Sequence, residues 1–104
     1  MFAQAYRYRF LSGVDLRRAG ELLQVALLAA EGLFGAARVR MDGASAMDTS
    51  INVLAVDGST GVGQAVNAIF AAFLLHALGS ERVDVRRVRW MDTLGEDERE
   101  EVNT

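Results

Sequence analysis

The chain has 104 residues, of which 51% are hydrophobic and 24% charged, a composition typical of one folded domain and not of a disordered or fibrous protein. The absence of cysteine excludes disulfides, thiolate metal ligands and cysteine nucleophiles. The net charge is -3 and all eleven basic residues are arginine. One explanation for this bias is the nucleotide composition of the gene, since alanine, glycine and valine are also abundant. The other is functional, because the planar guanidinium group of arginine suits the binding of carboxylates and phosphates.

The first strand is predicted from alternation in the segment AQAYRYRF, residues 3–10. Tyr6, Tyr8 and Phe10 fall on one side, and Arg7 and Arg9 fall on the other. This is the period-two pattern of a half-buried strand. We expect the aromatic side to face the core and the arginine side to face away from it.

A helix is predicted over residues 16–34, where apolar residues recur at helical spacing. Asp15 is placed to cap its first turn and Gly35 to end it. The next segment, ARVRM at residues 37–41, alternates and is predicted to form a second strand. The turn-rich stretch DGASAMDTS follows it.

The second half of the chain has the order strand, helix, strand. The nearly continuous apolar run INVLAV, residues 51–56, is typical of a central strand covered on both faces. A helix is predicted over residues 63–78, with Ser59 or Thr60 as its cap and Gly79 as its stop. The alternating segment RVDVRRVRW, residues 82–90, is predicted to be the last strand.

This order of elements predicts an α+β fold of the ferredoxin-like, split βαβ type (βαββαβ). In that arrangement two helices cover one face of a four-stranded antiparallel sheet. We expect residues 1–91 to form this single domain. Residues 92–104 hold six carboxylates against one arginine and are predicted to be a flexible acidic tail. In a second interpretation, the carboxylates of the tail lie near arginines of the sheet and screen them.

The segment GSTGVG, residues 58–63, has the glycine spacing of a phosphate-binding loop between a strand and a helix. Such a loop continues with Lys and then Ser or Thr, whereas this chain has Gln64 and Ala65. The dinucleotide pattern also fails, because Val66 takes the place of its third small residue. We interpret the segment as a structural loop and predict no cofactor.

The sequence shows no catalytic motif. His76 is the only histidine and has no partners at metal-ligand spacing, so we interpret it as a packing residue and predict no metal site. Asp42, Asp48 and Asp57 adjoin turns, where aspartate side chains usually bond to nearby backbone. These features favour a protein that is not an enzyme.

The second predicted helix has more apolar surface than one core requires. Opposite its core-facing residues, it carries alanine, leucine, Gln64 and Asn67, but no charged residue. A membrane span over residues 62–80 is disfavoured because polar residues interrupt a segment of barely sufficient length. We therefore predict a homo-oligomer, most simply a two-fold dimer. Its candidate interface is formed by Ala68, Ala71, Ala72, Leu75 and Leu78, with Leu28 of the first helix.

The arginine side of the sheet is the second candidate surface. Such a surface suits an anion, the acidic tail or acidic residues of a second subunit. It does not resemble an RNA-binding sheet, since INVLAV has no aromatic residue for base stacking, so nucleic acid is not an expected partner. The candidate anion-binding residues are Arg7, Arg9, Arg38, Arg40 and Arg86.

Two functions from different classes follow. The favoured one is a small, non-catalytic, oligomerising interaction or regulatory module. Its expected location is the cytoplasm, because the N-terminal segment lacks the pattern of a secretory signal. The alternative is an α+β protein, including an enzyme, that binds a small molecule or an anion with Arg and Tyr residues of the sheet.

Overall fold

The computed structural model describes residues 4–89, which form an α+β protein with a four-stranded antiparallel sheet and three helices. The sheet order is β2-β3-β1-β4, so within this part of the chain β2 and β4 are the edge strands. The predicted tail at residues 92–104 lies outside the described residues. The elements in chain order are β1 (Gln4–Phe10), α1 (Leu16–Phe34), α2 (Ala36–Asp42), β2 (Ser45–Asp48), β3 (Val53–Asp57), α3 (Gly61–Leu78) and β4 (Val83–Arg89).

The prediction for α1 is confirmed at both ends. Asp15 caps the helix, and its carboxylate accepts a hydrogen bond from the backbone N–H of Arg17 at 3.0 Å. Gly35 ends it with φ of 89°, a left-handed value that favours glycine, and donates its N–H to the Glu31 carbonyl. The alternation that predicted β1 is confirmed as well, because Tyr8 and Phe10 lie in the hydrophobic core.

The prediction of a strand in ARVRM is wrong, since these residues belong to α2. Val39 is buried at 4% exposure, whereas Met41, two residues later, is 80% exposed. A seven-residue segment is too short to distinguish a period of two from a period of 3.6. The second strand, β2, lies instead within the stretch interpreted as a turn.

The helix α3 begins two residues earlier than predicted and ends at Leu78, before Gly79. Thr60 provides its cap, because the Thr60 hydroxyl accepts a hydrogen bond from the Gly63 N–H at 2.9 Å. The same hydroxyl donates to the Asp42 carbonyl at 2.8 Å. One threonine therefore both starts α3 and connects it to the end of α2.

The core lies on one face of the sheet. Tyr8 and Phe10 of β1 and Leu54 and Val56 of β3 form a single buried cluster with residues from all three helices. The register of β1 on β3 places Tyr8 opposite Leu54, so these residues share that face. We call it the aromatic face. The prediction that β3 is covered on both faces is also confirmed, because Val53, Leu54, Ala55 and Val56 are each 0% exposed.

Candidate functional site

The outer side of α3 carries an exposed stripe of small apolar residues. Its members are exposed and spaced at i, i+3, i+4 and i+7, which places them on one side of a helix. No Asp, Glu, Lys or Arg occurs anywhere in Gly61–Leu78. We call these four residues the α3 stripe: Ala68, Ala71, Ala72 and Leu75.

The two other residues predicted for this interface lie elsewhere. Leu78 is partly buried against the core, so it supports the fold. Leu28 is 64% exposed but lines a separate groove between α1 and α2, together with Leu27 and Val39. The structure therefore brings together four of the six residues predicted for this interface.

A shallow apolar groove runs between the α3 stripe and the edge strand β4. Two cavities of about 220 and 260 Å³ adjoin each other there, and both are lined by Tyr8, Ala71 and Val85. Leu75 and Val85 are 55% and 45% exposed on its two sides. Neither cavity reaches the 300 Å³ typical of the smallest ligand pockets. The groove therefore extends the apolar surface of the stripe.

The floor of this groove holds a buried polar pair, Tyr8 and Asn67. The prediction that Asn67 lies on the side of the helix away from the core is therefore wrong. The Tyr8 hydroxyl donates to the Oδ1 atom of Asn67 at 2.7 Å, and Asn67 is 5% exposed. The Nδ2 atom of Asn67 donates to the carbonyls of Gly63 at 2.8 Å and Asp57 at 3.3 Å. Asn67 thus joins β1, the end of β3 and the first turns of α3. The sequence did contain a signal for its burial. Asn67 lies four residues after Gly63 and three before Phe70, so it shares their buried side of the helix.

Burial also changes the acidity of this pair. Desolvation raises the pKa of the Tyr8 phenol well above its ordinary value, and the neighbouring Tyr6 raises it further. The phenol therefore remains a neutral hydrogen-bond donor at neutral pH. The ring of Tyr8 also meets Phe70 edge to face, with centroids 4.9 Å apart, which fixes its orientation.

The candidate anion-binding arginines do not form one surface. Arg7 and Arg9 of β1 and Arg86 of β4 lie on the sheet face opposite the aromatic face, as the register shows. Arg7 is only 2% exposed, contrary to the expectation of an open arginine surface. Arg86 pairs with Asp84 at 3.2 Å between Nε and Oδ2.

The expectation that Arg38 and Arg40 join the sheet arginines is wrong, because both lie on α2. The Arg38 guanidinium stacks over Phe34 at 5.3 Å, and its Nε atom is 3.7 Å from the Asp42 carboxylate. Arg40 instead lines the groove beside Leu28. Only three of the five candidate residues therefore remain on one face.

A larger open cavity of about 560 Å³ lies between α1 and β2. The alternative function requires Arg or Tyr residues of the sheet around a ligand. This cavity contains neither of the sheet tyrosines, and its arginine, Arg17, comes from α1. The cavity therefore gives the alternative function no specific support.

The aspartates at the turns are used locally. Asp48 accepts hydrogen bonds from the N–H and hydroxyl of Ser50 at 3.0 and 2.6 Å. Asp57 accepts the same pair of bonds from Ser59 at 2.9 and 2.6 Å. These contacts stabilise the turns, which is the role predicted for aspartate in such positions. Within residues 4–89, no three His, Asp or Glu side chains come together as a metal-binding group.

The glycines of GSTGVG have a packing role. A β-carbon at Gly63 would overlap the Asp57 carbonyl oxygen, and one at Gly58 would lie 2.7 Å from Cε2 of Tyr6. These two positions require glycine because backbone or ring atoms occupy the space of a side chain. Gly61 has open space around it. The glycine spacing thus reflects the close approach of α3 to β3, not a phosphate site.

Replacement of Gly63 by alanine is expected to lower the free energy of unfolding by about 1–3 kcal/mol, since the loop must move to admit the methyl group. Gly61→Ala is the matched control and is expected to leave stability unchanged or raise it by less than about 1 kcal/mol. Urea unfolding of both variants measures the difference. Equal stability of the two variants would contradict the packing role.

By length and composition, α3 also qualifies as a helix that could cross a membrane, with a mean hydropathy of 1.5 over 18 residues. Core helices of soluble proteins meet the same criterion. Here the buried residues of α3, such as Val66 and Phe70, pack on the sheet. The hydropathy is therefore explained in part by the core and in part by the α3 stripe.

Comparison with known proteins adds no relative: no family model, no curated protein and no solved structure matches this chain.

Proposed function

We propose that this protein is a small, non-catalytic interaction module that forms a two-fold dimer through the α3 stripe. The observation that carries the proposal is an uncharged, exposed row of alanine and leucine on a helix whose other side already fills the core. A solvated helix face normally carries charged residues. A contiguous apolar surface without them is typical of a protein interface.

We also propose the ferredoxin-like, split βαβ topology as the fold of this module. The support is the strand order: β1 and β2 are joined through α1 and α2, with β3 between them, and β3 and β4 are joined through α3, with β1 between them. Each β–α–β unit is thus split by a strand of the other. This topology leaves the outer side of α3 available to a second copy.

The α3 stripe is self-complementary under two-fold symmetry. If two copies of α3 pack antiparallel, with the axis between Ala71 and Ala72, then Leu75 of one copy meets Ala68 of the other, and Ala71 meets Ala72. A large residue therefore faces a small one at each end, and small residues at the centre allow the helices to approach closely.

The sheet edge is a weaker alternative for dimerisation. The strand β4 is an edge strand with Arg86, Arg87 and Arg89, and pairing it with a second β4 would bring these like charges together. Charged residues on edge strands are a common protection against such pairing. The opposite edge, β2, has only four residues.

Leu75→Glu is expected to convert the dimer into a monomer with an intact fold, because it places a charge at both ends of the helix contact. Light scattering at about 100 μM, far above a micromolar Kd, measures the mass. Leu33→Glu is the matched control, because Leu33 is 73% exposed and lies outside the stripe. We expect this control to remain dimeric.

Leu28→Glu tests the other exposed leucine of the predicted interface. A monomeric parent protein at this concentration would refute the proposed dimer. A dimer that persists in Leu75→Glu but is lost in Leu28→Glu would refute the α3 stripe as its interface. Circular dichroism of each variant shows whether a loss of mass reflects dissociation of folded chains.

Ala72→Cys provides a direct geometric test. The chain has no cysteine, so any disulfide-linked dimer reports this position alone. Residues beside the two-fold axis of a closely packed helix pair come within the Cα separation of about 4.4–6.8 Å that a disulfide requires. Leu33→Cys is the control. Efficient cross-linking of Ala72→Cys and its absence in the control are expected, and the reverse result would contradict the arrangement.

A further inference from the structure

The edge strand β4 carries backbone hydrogen-bonding groups on the side away from β1. The N–H of Leu11 donates to the carbonyl of Arg82, and bonded pairs alternate along an antiparallel ladder. Every second residue from Arg82 therefore bonds to β1, and the residues between them present their N–H and C=O groups to the outside. Within residues 4–89 no further strand lies beside them. These outward-facing residues are Val83, Val85 and Arg87.

The side chains of the same three residues lie on the aromatic face of the sheet. They are paired with Phe10, Tyr8 and Tyr6 of β1, in that order. Residues directly opposite each other in a ladder share a face, and Tyr8 faces the core. Val85 is 45% exposed, and Arg87 is exposed as well. The outer edge of β4 therefore presents two valines and one arginine on the side of the sheet that carries α3.

The groove between this edge and α3 has room for two side chains. Val85 lines both of its cavities, which have volumes of about 220 and 260 Å³. One cavity extends to Val83 and Ser80, and the other to Tyr6 and Gln64. They follow one another along β4, as do same-face side chains of a strand, which are about 7 Å apart. Since a cavity of about 150 Å³ holds a benzene-sized group, each can accept one apolar side chain.

The charge of this edge favours an acidic strand. Arg87 forms no ion pair within residues 4–89, and α3 carries no charged residue beside it. The ion pair between Asp84 and Arg86 belongs to the opposite face of the sheet. A second β4 would bring arginines together, whereas a strand with a carboxylate opposite Arg87 would gain an ion pair.

We propose that β4 is a docking site for an extended acidic segment of a partner protein, which adds to the sheet beside β4. Two apolar side chains of the segment fill the cavities, and its carboxylate pairs with Arg87. Because alternate residues share a face, an antiparallel segment requires the order acidic–x–apolar–x–apolar, and a parallel segment requires the reverse. Backbone hydrogen bonds supply affinity, while the cavities and Arg87 supply specificity.

This site goes beyond the proposed dimer but adjoins it. Ala71 and Leu75 line the groove and also belong to the α3 stripe. A partner segment and a second copy of α3 therefore share this flank of the helix, and the two contacts require separate tests. Ala72 lines neither cavity. Ala72→Gln places a bulky neutral side chain at the centre of the helix contact, so it removes the proposed dimer without altering the groove.

Amide exchange with water, measured by NMR, tests strand addition on the full chain and on Ala72→Gln. The probes are the blocked peptide TETVTLT and its reverse, TLTVTET, at about 1 mM, where a Kd of that order half fills the site. We expect exchange at Val85 and Arg87 to slow at least about twofold at half occupancy. Exchange at Asp84 and Arg86, whose N–H groups already bond to β1, is expected to change least.

This alternating protection distinguishes an added strand from contact with the helix surface. Protection in both proteins, or in Ala72→Gln alone, supports the site, and the second result shows that a second copy of α3 covers the flank. Absence of protection with both peptides in both proteins would overturn the proposal. Light scattering of the parent protein tests the dimer independently, so the two proposals can fail separately.

Matched variants test the charge and the register. Arg87→Gln is expected to weaken binding of the peptide about two- to fivefold, the range of an exposed ion pair. Arg86→Gln removes the same charge from the opposite face and is expected to leave binding unchanged. Arg87→Glu is expected to prefer the peptide TRTVTLT. The peptide TETTVLT, which has the composition of TETVTLT but places valine on the other face, is expected to bind weakly. Equal binding of these two peptides, or equal effects of the two glutamine variants, would overturn the proposal.

Discussion

Asn67→Leu is expected to lower the free energy of unfolding by about 3 kcal/mol. The substitution keeps the size of the side chain but removes a hydrogen-bond acceptor from the Tyr8 hydroxyl and a donor from the carbonyls of Gly63 and Asp57. Each buried polar group left without a partner costs about 1–3 kcal/mol. A small domain has a total stability of about 5–15 kcal/mol, so this loss is large. Urea unfolding followed by circular dichroism measures it.

Gln64→Leu is the control, because it makes the same change on the same helix. The Gln64 side chain is exposed and donates to the Gly58 carbonyl at 3.3 Å, so its loss is expected to change stability by less than about 0.5 kcal/mol. Tyr8→Phe removes only the hydroxyl and is expected to cost about 1–2 kcal/mol. A stability of Asn67→Leu equal to that of Gln64→Leu would show that the polar pair does not hold α3 to the sheet.

Elements marked by their own local chemistry could be predicted from the sequence. The bounds of α1 follow from Asp15 and Gly35, because an N-cap carboxylate and a left-handed glycine act on adjacent backbone without help from the rest of the fold. The burial of β3 on both faces follows from its uninterrupted apolar run. In both cases a few neighbouring residues determine the result: the two cap residues fix the ends of α1, and the apolar run accounts for the burial of β3.

The second strand could not be predicted in this way. The segment ARVRM has strand-like alternation, yet it forms a short helix whose buried residue is Val39. The strand that pairs with β3 is Ser45–Asp48, a four-residue segment whose members are partly or fully exposed. Tertiary pairing, not local pattern, determines such a strand, because Ala46 lies opposite Ala55 only once β3 is in place.

One candidate surface could likewise be predicted from local sequence, and the other could not. The α3 stripe was visible from the sequence, because the absence of charge over eighteen helical residues is a local property. The burial and grouping of the candidate arginines could not be predicted, because alternation shows only that Arg7 and Tyr8 lie on opposite faces. Which layer covers each face depends on segments distant in sequence. The burial of Arg7 and the position of Arg38 on α2 therefore emerged only from the structure.

The stability of this protein is expected to fall as the pH rises above about 10, where the phenol of Tyr8 ionises in the unfolded chain. Burial raises the pKa of Tyr8 in the folded chain, so the folded state keeps a proton that the unfolded state releases. Its contribution is complete below the unfolded pKa and is lost above it, by up to about 1.4 kcal/mol for each pH unit.

The composition of the chain makes this effect measurable in isolation. Lysine and cysteine are absent and the chain has two tyrosines, so Tyr8→Phe can be compared with one matched control, Tyr6→Phe. Urea unfolding at several pH values above about 10 gives the slope of the free energy of unfolding against pH. Tyr8→Phe is expected to lose most of that slope, because it has no buried phenol, while Tyr6→Phe retains it. If both variants kept the parental slope, ionisation of Tyr8 would not be the cause of the alkaline destabilisation, and its phenol would have to be open to solvent.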